Sequence, residues 1–380
     1  MWGGLVTLQN INFLENFRIT NRNHKNLDGV RAIGILMVIF SHFYGTYINL
    51  TFFWTSIDLL FTLSGLLITG ILIETKDSPK YFKNFYIRRA LRIFPLYYLL
   101  IFIFLVFILF ITKSPDSFKY FTNNIWYFLF YCQNWYFINF GIPGNGHLNH
   151  TWSLAVDEQI YIIWPLLIFL CKNKCHLIWL CISTLLLCLS FRIWYINFFL
   201  SSMPLDPYAV FHNTFCRIDS FAAGSLLYCL LRFDVEFLNK KNILILFFTT
   251  LFLVFIIGIK DDNNFNFTGL YMSHFGFTLM GLNFMTCLYF SLTSKNKLLN
   301  NVLQNSILVY IGKISYSLYV FHWFILMILL PTFNNFLKKI LNHNNNFIAI
   351  TLCFIATFII SSLSYTFFEK PIIKLKKKFV

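Results

Sequence analysis

Leu27-Asp28-Gly29-Val30-Arg31-Ala32-Ile33-Gly34-Ile35-Leu36-Met37-Val38-Ile39-Phe40-Ser41-His42 decides what kind of molecule this is. Between Arg31 and His42 only Gly34 and Ser41 interrupt the apolar side chains, and no charge follows until well beyond Asn49. A stretch of about 20 such residues crosses a hydrocarbon layer roughly 30 Å thick, so Val30–Asn49 reads as a transmembrane helix. It carries one guanidinium and one imidazole inside or beside lipid, where ionisable groups are expensive and mark function.

The rest of the chain repeats the pattern. Of 380 residues 58% are hydrophobic and 12% charged, against about 25% charged in a soluble domain, which excludes an ordinary soluble enzyme and a disordered chain. Further spans are predicted at Phe53–Ile73, Leu91–Ile111, Gln159–Leu170, Leu177–Phe198, Phe215–Leu231, Ile243–Ile259, Tyr271–Leu292, Ile307–Leu330 and Phe347–Phe368. The fourth is short unless it extends back through Trp152. The stretch Ile125–Ile138 is apolar but interrupted by Asn and Gln, and is expected not to cross. The fold class is therefore an all-α, polytopic membrane bundle of about ten helices.

Charge fixes the expected orientation. With Arg18, Arg22, Lys25, Arg31, the Lys76–Arg92 cluster, Lys172, Lys174, Arg232, Lys240, Lys241, Lys295, Lys297, Lys313 and the Lys370–Lys378 tail on one side, 23 of the 30 Lys and Arg share a face. The positive-inside rule makes that face, and both termini, cytoplasmic in a multi-pass protein of the cytoplasmic (inner) membrane. The net charge of +15 then reports topology before it reports any ligand, and nucleic acid is not an expected partner. Nine cysteines, scattered mostly through apolar segments, form no disulfide framework. No removable signal peptide is read before Asn26. The expected organisation is a segment at 1–27, one transmembrane domain at 28–371 and a basic tail at 372–380, with Asn342–Asn346 read as compositional drift.

Interior polar residues are the functional candidates. Arg31 and His42 are 11 residues apart, three turns plus about 20°, so they are predicted to point the same way about 16 Å apart, the imidazole deeper in the membrane. Asp28 lies one turn before Arg31 and can pair with it. Imidazole suits removal of a hydroxyl proton near neutral pH, or transient carriage of an acyl group; the plainer alternative is a histidine bridging two helices. In Arg88-Arg89-Ala90-Leu91-Arg92, Arg89 and Arg92 at i, i+3 give one basic face at a helix entrance, suited to phosphate oxygens or serving only as a topological anchor.

At the mouth of the fourth span stand Trp152, Ser153, Asp157, Glu158 and Tyr161. Adjacent helical residues are 100° apart, so one of Asp157 and Glu158 is expected to face the bundle, on the outer side, beside Trp and Tyr in a sugar-binding or base-orienting arrangement. The alternative is a helix start whose acids complement its dipole. Asp58, Ser64, Arg217, Asp219, Ser315, Tyr316, Tyr319 and His322 are further interior polar groups, with Ser315, Tyr319 and His322 on one face. His147 with His150, or Cys171, Cys175 and His176, are incomplete ligand sets, and no metal is expected.

Taken in order, these pieces resemble the acyltransferase 3 family of membrane O-acyltransferases. The resemblance rests on Leu27-Asp28-Gly29-Val30-Arg31 with ten residues before His42, on Ile57-Asp58-Leu59 to Ser64-Gly65, and on Arg88-Arg89-Ala90-Leu91-Arg92-Ile93-Phe94-Pro95. It continues through Trp152-Ser153-Leu154 to Tyr161 and Pro165, Arg217-Ile218-Asp219, Ile311-Gly312-Lys313-Ile314-Ser315-Tyr316-Ser317-Leu318-Tyr319 before His322, and Glu369-Lys370-Pro371. Leu66, Asp157 and Ile160 depart from the usual residues.

The resemblance implies ten spans, an acyl-CoA donor, with acetyl-CoA the expected one, used from the cytoplasm, and transfer to a hydroxyl of a cell-envelope glycan, such as a polysaccharide or lipopolysaccharide, or its lipid-linked precursor. On that footing Arg88, Arg89 and Arg92 would gather the donor's phosphates, Arg31 oriented by Asp28 would hold or polarise it, and His42 would act as base or acyl carrier. Trp152, Ser153, Asp157, Glu158 and Tyr161 would meet the acceptor. A sugar or lipid transporter with the same interior charges is the competing expectation.

Overall fold

The computed structural model describes residues 25–112, 119, 121–141, 146–199, 207–235, 238–341 and 345–378. Most of the expected N-terminal segment, with Arg18 and Arg22, and residues 342–344 and 379–380 lie outside the described residues. Among the described residues ten helices are long and apolar enough to cross a membrane, as the hydropathy pattern predicts. Their helical cores are α1 (Lys25–Tyr44), α2 (Ser56–Thr75), α3 (Tyr81–Phe107), α4 (Trp152–Leu170), α5 (Lys174–Trp194), α6 (Thr214–Arg232), α7 (Lys240–Lys260), α8 (Phe277–Thr293), α9 (Ser315–Leu341) and α10 (Asn346–Leu363).

Local sequence explains where several begin. The side chains of Asn173, Asn213, Asn239 and Asn345 each accept a hydrogen bond from a backbone N–H in the first turn of α5, α6, α7 and α10, filling donors that a helix start leaves open. Ile125–Ile138 does not cross. It breaks into Ile125–Leu129 and Gln133–Phe140 around Tyr131, whose φ of 55° lies in the left-handed region.

Three expected boundaries move. α1 begins at Lys25 and ends at Tyr44, so His42 sits in its last turn instead of deep in the span. α3 begins at Tyr81, so Arg88, Arg89 and Arg92 lie within a helix that is already formed, not at its entrance. Long basic side chains reach water from an extended helix, which lets a polar first turn add to an apolar span unseen by hydropathy. The ninth span starts at Ser315. Ser306–Lys313 is a separate short helix packed on α1, held so close that a methyl group on Gly312 would overlap the carbonyl of Asp28.

The centre of the bundle is α6, buried nearly all round between α2 and α5. Gly65 on α2 and Gly224 on α6 let the two backbones touch: a methyl on Gly65 would overlap the carbonyl oxygen of Phe221, and one on Gly224 that of Thr62. Such small-residue crossings replace the hydrophobic driving force that lipid withholds. Thr69 Oγ1 then donates to Ser225 Oγ at 2.8 Å across the same interface.

Arg217 and Asp219 leave α6 in different directions. Arg192 of α5, which the hydropathy pattern does not single out, binds Asp219 at 2.8 Å and donates to the Cys216 carbonyl at 2.5 Å. Thr278 adds a 2.6 Å hydrogen bond to Asp219. Arg217 meets Asp58 of α2, whose Oδ1 also accepts from Ser220 at 2.6 Å. Buried charges persist only when paired in this way. Exposed apolar side chains such as Leu187, Phe248 and Ile359 form the outward faces of α5, α7 and α10.

Candidate active site

A cavity of about 470 Å³ opens between α1, α2, α3, α4 and α9. α1 contributes Asp28 and Arg31, α2 Ser64, α3 Arg88, Arg89 and Arg92, α4 Ser153, Asp157, Glu158 and Tyr161, and α9 Ser315, Tyr316 and Tyr319. The volume is that of an ordinary small-molecule site, but the lining is unusually ionic for one placed between membrane helices.

Each charged group has a specific neighbour. Arg31 Nη1 donates to Asp28 Oδ1 at 2.7 Å, one turn apart as the spacing predicts. Arg89 lies 5.2 Å over the Tyr161 ring and 5.8 Å over Phe85, within reach of cation–π attraction. Asp157 Oδ1 and Glu158 Oε1 are buried without a hydrogen-bond partner, so the cavity offers two acceptors to whatever fills it. Ser153 Oγ and the Tyr319 hydroxyl share a short hydrogen bond, and Tyr319 also donates to the His150 carbonyl at 2.9 Å.

The charge pattern puts the tail lysines on this face without showing that one of them packs against α3. The 3₁₀ turn Leu375–Lys378 packs on α3. Burial, then the charges of Arg92, Arg89 and Arg88, push the Lys376 ammonium from its usual range down to about 6. Like charges on one helix and the turn packed against it suit an anion more than another cation.

Two expectations about α4 are corrected. Asp157 and Glu158 both line the cavity, where 100° of helical separation had suggested one. α4 forms a broad wall here, so the lining wraps from Ser153 to Tyr161. Both acids also stand in the arginine-lined cavity, not in a separate acceptor site at the other end. Trp152 is not among the lining residues; it is buried against Phe211 and Phe61, ring centroids 4.7 and 6.4 Å away.

His42 is the third correction. Although Arg31 and His42 share a helical stripe, the cavity lining on α1 stops at Ile35. On α9, Tyr319 lines the cavity and His322, one turn on, packs against His42. His42 Nδ1 lies 2.9 Å from His322 Nε2, the two rings parallel within 4°. Trp323 meets His42 edge-on at 4.8 Å, and His150 packs on His322 at 5.2 Å. His322 and His150 are buried while His42 is exposed. Among the described residues no group of three or more His, Cys, Asp or Glu side chains is arranged to hold a metal. Of the three-residue face predicted on α9, Ser315 and Tyr319 face the cavity and His322 turns to the imidazole.

Comparison with known proteins gives the family. Residues 24–366 match an acyltransferase domain family, acyltransferase 3. The peptidoglycan O-acetyltransferase OatA of Listeria monocytogenes serovar 1/2a is 29% identical over 385 residues, covering 94% of this chain and 57% of that protein. YrhL of Bacillus subtilis strain 168, named a candidate peptidoglycan O-acetyltransferase, is 30% identical over 369 residues, 91% of this chain and 54% of its own. The chain thus spans about half the length of the curated relatives it matches. No solved structure matches it.

Proposed function

The chain belongs to the acyltransferase 3 family, and from that premise we propose that it is a membrane O-acyltransferase moving an acyl group, acetyl by the names of its relatives, from acyl-CoA to a hydroxyl of a cell-wall glycan or its lipid-linked precursor. The observation that carries the donor half is the gathering of Arg88, Arg89 and Arg92 on one wall of a cavity that also holds Arg31, with the turn that bears Lys376 packed on the same helix. Arginine forks and a lysine match the phosphates of a nucleotide thioester. In this reading that end is the cytoplasmic one, supported by the basic face of the sequence.

In this reading the phosphates stay among Arg88, Arg89, Arg92 and Lys376 while the thioester arm enters the cavity past Arg31. Asp28 holds Arg31 in place. Asp157 and Glu158 accept hydrogen bonds from the donor's amides and hydroxyls, a donor-side role in place of the acceptor-side role that the sequence suggests. The acceptor approaches from the other end, where His42 is exposed. His42 removes the hydroxyl proton as the oxygen attacks the thioester carbonyl; the C–S bond breaks and the thiolate leaves with a proton. Replacing attack by the glycan with attack by His42 itself gives an acyl-imidazole that the glycan then resolves.

The test uses purified protein in bilayers with labelled acetyl-CoA and a glycan acceptor. Free thiol and ester-linked label are expected together, and His42→Ala should lose both while keeping wild-type protein levels. A transporter would release no thiol. Wild-type transfer by His42→Ala would end the mechanism.

A further inference from the structure

We propose that His322 is a positioning residue that fixes His42 as the tautomer whose Nε2 carries the lone pair, so that Nε2 and not Nδ1 is the nitrogen facing the acceptor. The inference deepens the acyltransferase reading and rests on it only for its kinetic half.

The assignment follows from who can donate. His322 Nδ1 lies 2.6 Å from the backbone carbonyl of Tyr319, which can only accept. His322 Nδ1 therefore bears a hydrogen, and a neutral His322 has its lone pair on Nε2. That lone pair faces His42 Nδ1 at 2.9 Å, so His42 Nδ1 donates and His42 Nε2 is left bare. His322 is wholly buried and cannot turn to solvent for another partner. The neighbouring His150 is fixed in the same manner: its Nε2 donates to the Val320 carbonyl at 3.0 Å, which leaves its buried Nδ1 as an unpartnered acceptor. The ring nitrogens of this cluster thus form a directed set in which one backbone carbonyl of α9 determines the basic atom of α1, 280 residues away in the chain.

The experiment separates the two bonds of His322. In full-length protein in bilayers, His322→Gln puts a side-chain amide oxygen where Nε2 stood and keeps an acceptor for His42. His322→Asn keeps a polar group near Nδ1 and reaches only the Tyr319 carbonyl. His322→Asn should lose at least about 10²-fold in kcat, the lower end of what a positioned base contributes, with the KM for acetyl-CoA within about twofold. His322→Gln should recover most of that loss. Nitrogen-15 spectra of histidine-labelled wild type, with the His42 resonances identified by their absence in His42→Ala, should show Nδ1 protonated and Nε2 bare. A protonated Nε2 on His42, or wild-type kcat in His322→Asn, overturns the proposal. The spectra need no substrate, so they decide the tautomer even if the acyl-transfer reading fails or both variants fold poorly.

Discussion

Arg217 and Asp58 meet at 3.0 Å in the middle of the bundle with neither side chain exposed, and the guanidinium lies 4.0 Å over the Phe277 ring. The pair joins α6 to α2 behind the cavity wall and takes no part in lining it. Removing one partner strands the other charge out of water, which costs about 3–5 kcal/mol, whereas replacing both by apolar residues costs far less. Asp58→Ala should therefore lower unfolding stability in detergent by about that amount, and Arg217→Met with Asp58→Leu should restore most of it. Equal melting of Asp58→Ala and wild type would contradict the pair's role.

Arg89 lies over the Phe85 and Tyr161 rings and lines the cavity. A lysine keeps the charge but neither stacks as a plane nor donates as a fork. Arg89→Lys should raise the KM for the acyl-CoA donor about tenfold, the equivalent of roughly 1.4 kcal/mol, with a smaller change in kcat. A donor titration followed by thiol release measures both; an unchanged KM rules out a phosphate role for this side chain.

Lys376 yields a pH signature. Its folded value of about 6 lies below its ordinary value, so between about pH 6 and the usual lysine range the unfolded chain binds more protons than the folded one. Ligand-free stability should rise with pH through that window, and Lys376→Met should flatten the slope. A bound polyphosphate reverses the sign by drawing a proton onto Lys376. Calorimetry of CoA binding in two buffers of different ionisation enthalpy should show proton uptake near neutral pH that weakens as pH falls below 6, and no such uptake in Lys376→Met.

Trp152 separates packing from recognition. Its ring is buried against Phe61, Phe211 and His212. Trp152→Ala should cost about 3–5 kcal/mol of stability, while Trp152→Phe should keep the KM for a glycan acceptor within twofold. A selective rise in acceptor KM for Trp152→Phe would return the residue to the binding site.

The spans and the cavity charges were legible in the sequence because both are local: about 20 apolar residues make a span, and a turn or less of spacing brings Asp28 to Arg31 and Arg89 to Arg92. Helix starts were not, since the polar first turns of α1 and α3 carry no hydropathy signal. Nor was the direction of His42. A stripe on an ideal helix says which residues share a side but not which neighbour covers that side, and α9 supplies its cover from 280 residues away. Lys376 escaped for a similar reason: a basic tail reads as a topological marker until the fold lays it against α3.

The reciprocal contact of Gly65 and Gly224 has one more bearing. With each glycine seated on the other helix's carbonyl, α2 and α6 can neither slide nor roll past one another, so Ser64 on the cavity wall is a stationary landmark. Any widening that admits a bulky thioester then falls to the other helices that line the cavity, among them α3 with its arginines and the turn packed on it that bears Lys376. An anionic head held by those arginines would grip one of the elements still free to move, coupling capture to closure.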